Sequence, residues 1–191
     1  MKLLIDILQG MGLATAAGVR PFLPTLAAGA FASGDLGVDF DGTSFAFLES
    51  PVFLLAVAIA MVVSLLLRAR LESPSGAAVL SGIGIGLCAL LFAATLDDRH
   101  AVWWPGLIAG LLLAALAGAA VRNLLLRTRA RLDAEAAGAL PVYAEGLAVV
   151  LAALSILVPP VSLVAIAFFV WLLAGGRRRE GEKYAGLRIL R

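Results

Sequence analysis

The sequence predicts an all-α protein, a polytopic transmembrane helical bundle of about six spans whose first segment is broken at Arg20-Pro21. Composition is the first reason: 62% of residues are hydrophobic and 15% are charged, against about 45 to 50% and about 25% in soluble domains. The second is that the apolar runs are continuous, which excludes the alternating strands of a membrane barrel. The third is proline within the first run, where a straight helix cannot continue.

Six hydrophobic runs follow one another along the chain. They cover residues 3–33, 51–67, 76–96, 103–121, 141–158 and 161–174. Spans of about 20 residues would leave only short loops between them, and only helices satisfy the backbone in lipid. We therefore expect a single transmembrane domain over residues 1–176 and a basic cytoplasmic tail over residues 177–191.

Charge alternates between the loops. Basic residues follow the second, fourth and sixth runs, whereas acidic residues occupy the loops after the first and third runs. By the positive-inside rule this pattern predicts a multi-pass protein of the cytoplasmic membrane with both termini in the cytoplasm. The bilayer is the expected partner, anionic lipid is expected at Arg177, Arg178 and Arg179, and nucleic acid is not expected.

The first run is too long for one straight span. A helix over residues 3–33 would measure about 45 Å, whereas the hydrocarbon core is about 30 Å thick. Gly18, Pro21 and Pro24 weaken the helix, so the break is expected between Gly18 and Pro21. Either one bent span or a re-entrant hairpin satisfies this break. The two place the N-terminus on opposite sides, and the charge of Lys2 favours the bent span.

Arg20 lies in the middle of this apolar segment, where a guanidinium without a partner or water costs from about 3 to more than 10 kcal/mol. Pro21 suits the first position of a following helix, whose N-terminus would present N–H groups and a positive dipole end to an anion. Arg20, Pro21 and Pro24 are therefore candidate residues for binding an anionic solute. In the structural alternative, Arg20 bonds carbonyls freed by Pro21, pairs with a carboxylate or snorkels to the interface.

Two carboxylates lie near or within spans. We place Asp6 and Glu145 each about one turn from the cytoplasmic end of a helix, which makes both candidates for ion pairing or for coupling to a transported ion. For Glu145 the alternative is an interfacial acid at the positive end of a helix. The bent span puts Arg20 and Glu145 at different depths and does not favour a pair between them.

Small residues recur every four positions in the fourth run, namely Gly106, Gly110, Ala114 and Gly118. Such a face lets two helices approach closely, either within one bundle or between the copies of a homo-oligomer. Both uses remain open.

The sequence contains few residues that are suited to catalysis or metal binding. One cysteine, Cys88, lies inside an apolar run, and one histidine, His100, lies in a short loop beside acidic residues. Neither a disulfide framework, nor a Cys/His metal site, nor a set of nucleophile, base and orienting group can be assembled from them. We therefore expect a protein that is not an enzyme and that carries no metal or cofactor.

Several short motifs resemble domain-of-unknown-function family 4126: Gly18-Val19-Arg20-Pro21-Phe22-Leu23-Pro24, Glu145 opening the fifth span, and Tyr184-Ala185-Gly186-Leu187-Arg188. The resemblance implies a small bacterial polytopic membrane protein whose activity is unassigned. Many members carry an acidic residue in the second span, followed by an Asp-Lys-x-Pro turn. Here Ser64 and the stretch Arg70-Leu71-Glu72-Ser73-Pro74 depart from that pattern, so we assign no role to those positions.

Two functions follow as expectations. The first is a small-solute or ion translocator, with an anion-attracting site at Arg20 and with Glu145 or Asp6 as coupling carboxylates. The second is a non-catalytic membrane scaffold or accessory subunit that packs against other membrane proteins through its Gly/Ala faces.

Overall fold

A computed structural model of the chain describes residues 2–67, 74–100, 102–129 and 131–185. Within these ranges the protein forms seven α-helices and one short 3₁₀ helix and no strand, which confirms the all-α class. The helices are α1 (Lys2–Val19), α2 (Phe22–Ala32), the 3₁₀ helix (Ala46–Glu49), α3 (Pro51–Leu66), α4 (Pro74–His100), α5 (Trp104–Arg129), α6 (Ala134–Leu157) and α7 (Val161–Ala185).

Four of the described helices are long and apolar enough to cross a membrane. The qualifying segments are Lys2–Val19, Ala78–Asp97, Trp104–Arg129 and Gly138–Leu157. The apolar helices α2 and α3 and the apolar part of α7, Val161–Gly175, are shorter. Each predicted run thus forms a helix, except that the first run forms two, and the multi-pass membrane class is confirmed.

Local sequence signals fix where two of these helices begin. Ser50 accepts a hydrogen bond from the backbone N–H of Phe53 at 3.3 Å, and Pro51 takes the first helical position of α3. At α6 the carboxylate of Asp133 accepts a hydrogen bond from the N–H of Ala136 at 2.8 Å. This cap starts α6 seven residues before the apolar run that predicted it.

Helix α1 lies at the centre of the bundle. It packs against α2, α4, α5, α6 and α7, and its side chains from Leu13 to Ala17 are buried. Most of these side chains are small, so the surrounding helices approach the α1 backbone closely. In contrast, α3 packs against α2 and the 3₁₀ helix and exposes Val52, Leu55 and Leu66.

The two ends of the bundle differ in charge. We call the end that carries Arg122, Arg127, Arg129 and Arg131 the basic end, and the end that carries the loop of residues 33–50 together with Asp97 the acidic end. The N–H of Ser44 donates to the Asp97 carboxylate at 2.9 Å, and Phe45 meets Trp103 edge-on at 6.3 Å. These contacts hold the loop over the acidic end.

The first segment is a hairpin, and the expectation of a bent span is wrong. Helix α1 starts at the acidic end, where Gln9 donates hydrogen bonds of 3.0 Å to the carbonyls of Gly37 and Ile156. It reaches the basic end at Arg20, which shares a cavity with Arg129. Helix α2 then returns, since Gly29 lies against Leu48 and Leu54.

This hairpin also corrects the predicted placement of both termini on one side. Helix α7 begins beside the acidic end of α6 and reaches the basic end, where Trp171 and Gly175 share a cavity with Arg127. The start of α1 and the end of α7 therefore lie at opposite ends of the bundle. The bent span was favoured on the single charge of Lys2. The direction of α1 is set instead by the packing of the whole helix against its neighbours.

The small-residue stripe of α5 lies inside the bundle. A Cβ atom on Gly106 would stand 2.7 Å from the carbonyl oxygen of Phe92 in α4, and one on Gly110 would stand 2.7 Å from the Cα of Ala89. Further along, Ala114 is buried beside Gly18 of α1, and a Cβ on Gly118 would stand 3.5 Å from the Gly18 oxygen. A homo-oligomer would need a different face.

The backbone of α7 stays helical beyond residue 176, where we expected the cytoplasmic tail to start, and continues to Ala185. The side chains of Arg177, Arg178 and Arg179, at which we expected anionic lipid, lie outside the described part of the structure. The same holds for the motif residues 186–188 of the C-terminal region.

Candidate functional site

The break in the first segment falls where the sequence predicts it. The N–H of Arg20 still donates to the Ala16 carbonyl at 3.2 Å, so α1 keeps its hydrogen bonds up to the break. Pro21 has φ −75° and ψ −37°, which is a helical conformation, and α2 begins at Phe22. Arg20 therefore projects from the tip of the hairpin between two helices.

Proline limits what the start of α2 offers an anion. Pro21 and Pro24 have no backbone N–H, so the amides of Phe22 and Leu23 are the donors left in its first turn. The hydroxyl of Thr25 donates to the Pro21 carbonyl at 2.6 Å. Pro24 is fully buried and packs within the fold, away from the cavities that Arg20 lines.

The structure brings Arg20 and Glu145 together. Arg20 Nε lies 3.8 Å from Glu145 Oε1, and the two side chains are 20% and 22% exposed. A close charge-assisted hydrogen bond would measure about 2.7 to 2.9 Å, so this ion pair is a loose one. The other carboxylate oxygen, Glu145 Oε2, is buried with no hydrogen-bond partner among the residues that the structure describes.

Glu145 is not the interfacial acid at a helix start that the alternative reading required. Because Asp133 caps α6, Glu145 lies about three turns into the helix. It also lies within the apolar segment Gly138–Leu157. Its counter-charge is Arg20, which the hairpin carries to the same depth.

A cavity of about 180 Å³ opens beside this pair, and we call it the Arg20–Glu145 cavity. Arg129 and Ser64 also line it, from the basic ends of α5 and α3. Pro21 and Pro141 line it too, and each lacks the N–H that would bond a carbonyl of the preceding turn. Two interrupted stretches of helix thus meet at one polar cavity.

A second cavity of about 190 Å³ lies on the other side of Arg20. It is lined by Arg122 and Ser81, and Arg122 Nη1 donates to the Ser81 hydroxyl at 3.3 Å. Among the described side chains, three guanidinium groups and one carboxylate therefore line the two cavities. This excess of positive charge favours a small anion.

Arg122 and Arg129 are among the basic residues that follow the fourth run, which served only to predict topology. Their spacing of seven residues puts them on one face of α5, and this signal could have indicated that both accompany a single site. Ser64 could not have been assigned there, because its position depends on how α3 packs against α2.

Asp6 is not part of this site. It is buried one turn before Gln9, at the acidic end of α1, whereas Glu145 lies toward the basic end. The expectation that both carboxylates lie near the same end is wrong, because α1 runs in the opposite direction to the bent-span geometry.

One group of acidic side chains outside the spans has the spacing of metal ligands. Oxygen atoms of Asp39, Asp41 and Glu49 lie within 4.8 Å of one another in the loop at the acidic end. Burial, followed by the hydrogen-bonded neighbour Asp41, raises the pKa of Glu49. Carboxylates of this kind suit Ca²⁺ or Mg²⁺. A proton on Glu49 would also relieve the repulsion between the three negative charges. The sequence showed these residues only as an acidic loop.

The comparison with known proteins gives one result. Over residues 7–179 the chain matches the family described as Domain of unknown function (DUF4126). The matched range contains both Arg20 and Glu145. No curated protein and no solved structure matches the chain.

Proposed function

The chain belongs to the family described as Domain of unknown function (DUF4126), and from that premise we propose that it is a small-solute or ion translocator. The Arg20–Glu145 cavity is its anion-attracting site. One observation carries the proposal: Arg20 at the break of the first segment and Glu145 inside α6 line one open cavity, with Arg20 Nε and Glu145 Oε1 3.8 Å apart. A purely structural ion pair gains most from close geometry in which the remaining carboxylate oxygen is also hydrogen-bonded, whereas Glu145 Oε2 has no hydrogen-bond partner among the described residues.

Charge explains how the cavity would attract its solute. Arg129 lines the cavity with Arg20, and the guanidinium groups draw anions to it from the basic end. An entering anion competes with the Glu145 carboxylate for Arg20.

Access in this conformation is from one end. Between the cavity and the acidic end, Leu13, Leu91 and Phe92 are packed in the core. By the positive-inside rule the basic end faces the cytoplasm, so the cavity faces the cytoplasm as well. Passage across the membrane then requires a second conformation in which the hairpin or its neighbours move.

The first test is anion-dependent thermal stability of the purified chain in detergent. Phosphate, sulfate, chloride and acetate are compared at matched ionic strength. A ligand that binds only the folded state raises its stability by about 2.7 kcal/mol at a hundredfold excess over Kd. We expect at least one anion to stabilise the wild type, Arg20→Gln to abolish that shift, and Glu145→Gln to keep or enlarge it, because Glu145 competes with the anion.

The different effects of these two variants on the anion-dependent shift distinguish an anion-binding site from a purely structural ion pair. If Arg20 and Glu145 form only a structural pair, both variants lose stability alike and no anion shifts either of them. Retention of the anion shift by a folded Arg20→Gln variant would overturn the proposal. Uptake of the stabilising anion into proteoliposomes, with Arg20→Gln as the control, then tests translocation itself.

A second function, a non-catalytic membrane scaffold or accessory subunit, is favoured by α3. This helix packs against α2 and the 3₁₀ helix, and its outer side chains Val52, Leu55 and Leu66 are exposed. The Gly/Ala stripe of α5, which we expected to serve this role, is used within the bundle. Neither proposed function calls for catalysis or a cofactor.

A further inference from the structure

Helices α6 and α7 are neighbours in the chain but separate toward the basic end. At the acidic end they lie together, since Ser155 and Ser162 both approach Gly12 of α1. Farther along, a groove of about 380 Å³ opens between them, with Leu147 on the α6 side and Phe168 on the α7 side. We call it the α6–α7 groove.

The α6–α7 groove is apolar and reaches the centre of the bundle. Val19 at the end of α1 and Val121 and Leu125 of α5 lie along its floor. At its rim Leu147 and Tyr143 are exposed, at 69% and 70%. In a membrane the groove therefore opens sideways to the lipid.

At its basic end the α6–α7 groove meets a second cavity of about 380 Å³ that contains cationic side chains. Leu124 and Thr128 line both, so the two are continuous. Arg127 and Arg131 line the second cavity, together with Trp171. Tryptophan favours the membrane interface, and arginine matches the geometry of phosphate.

The dimensions fit one leaflet of a bilayer. The groove runs along α6 from Leu140 to Leu151, which is about 16 Å at 1.5 Å per residue. A hydrocarbon core of about 30 Å gives each leaflet about half that thickness. The apolar groove therefore has the depth of an acyl chain, and its cationic end lies where the headgroups of the same leaflet lie.

We propose that the α6–α7 groove binds one glycerophospholipid with an anionic headgroup. An acyl chain lies in the groove, and the phosphate lies between Arg127 and Arg131. The site is separate from the Arg20–Glu145 cavity and does not depend on translocation.

The test uses the full chain, purified in a non-ionic detergent and stripped of lipid. Phosphatidylglycerol, phosphatidylcholine with the same acyl chains, and inorganic phosphate are titrated, and binding is read by native mass spectrometry and by the melting temperature. We expect phosphatidylglycerol to bind at least tenfold more tightly than phosphatidylcholine. Inorganic phosphate alone should produce no shift in the melting temperature that depends on Arg127 and Arg131; a shift that depends on Arg20 belongs to the Arg20–Glu145 cavity.

Two variants locate the binding. The double substitution Arg127→Gln and Arg131→Gln should weaken phosphatidylglycerol binding at least tenfold, and Ala165→Phe, which fills the groove, should weaken both lipids. Arg129→Gln is the matched control, because Arg129 lies on the same helix but lines the other cavity. Equal binding of the two lipids to the wild type, an equal phosphate shift that the double variant abolishes, or unchanged binding in the folded double variant would overturn the proposal.

Discussion

Gln9 joins three distant parts of the chain. Its buried amide nitrogen donates to Gly37 in the loop at the acidic end and to Ile156 near the end of α6, both at 3.0 Å. Gly37 has φ 85°, in the left-handed region that glycine adopts readily. The two hydrogen bonds thus fix which end of the bundle α1 starts from.

We predict that Gln9→Leu lowers the free energy of unfolding by about 2 kcal/mol or more, because two carbonyls lose their donor. Chemical unfolding in detergent measures the change. Thr15→Val is the matched control on the same helix, since the Thr15 hydroxyl donates only to Met11 within α1. A Gln9→Leu variant that is no less stable than Thr15→Val would show that this contact does not stabilise the bundle.

Single residues were predicted unevenly from sequence, for a physical reason. Pro21 disrupts a helix locally, so the break needed no knowledge of tertiary structure. The pairing of Arg20 with Glu145 depends on the direction of α1, which one charge at Lys2 could not settle. Gln9 gave no signal, because its partners are backbone carbonyls 28 and 147 residues away.

Helices α4 and α5 approach each other closely at Gly110. A Cβ atom on Gly110 would stand 2.7 Å from both the Ala89 Cα and the Cys88 carbonyl oxygen of α4. Both are backbone atoms and cannot rotate away, so α4 itself would have to shift.

We predict that Gly110→Ala destabilises the protein by about 1 to 3 kcal/mol through this overpacking. Gly86→Ala is the control, because a Cβ there meets nothing within 4 Å and alanine is the better helix former by about 1 kcal/mol. Thermal unfolding of the two variants in the same detergent gives the comparison. A stability of Gly110→Ala equal to that of Gly86→Ala would refute close packing of α4 against α5.

Sequence predicted the existence of the helices better than their ends. The apolar runs located every α-helix that the structure describes, because continuous hydrophobicity in lipid leaves the backbone no other solution. The start of α6 was missed, since Asp133 caps it through residues that are not apolar. The return of α2 was weighed as the alternative to the bent span but not favoured, because its direction depends on packing against α3 and α6.

For the whole molecule, the hairpin predicts that Lys2 and the acidic loop share one side of the membrane. In a Cys88→Ala background, which removes the buried thiol, single cysteines are introduced as Lys2→Cys, Ser44→Cys and Arg131→Cys. All three positions are exposed. A membrane-impermeant maleimide applied to intact cells should label the first two, and should label Arg131→Cys only after permeabilisation.

Labelling of Lys2→Cys together with Arg131→Cys, and not with Ser44→Cys, would contradict the hairpin and restore the bent span. The alternation of charged loops predicted the later turns well, because several arginines or several carboxylates mark each one. The first segment had no comparable set of charges, so its topology could be read only from packing.

The central position of α1 also has a consequence for synthesis. Helix α1 leaves the ribosome before α6, and Gln9 must wait for Ile156, which is 147 residues later. At about 5 to 20 residues per second, this delay lasts about 7 to 30 seconds. During that time Asp6 and Gln9, both buried in the finished fold, have no finished bundle to enter. Helix α1 is thus made before the helices that surround it, and it can be enclosed only after α6 and α7 have been translated.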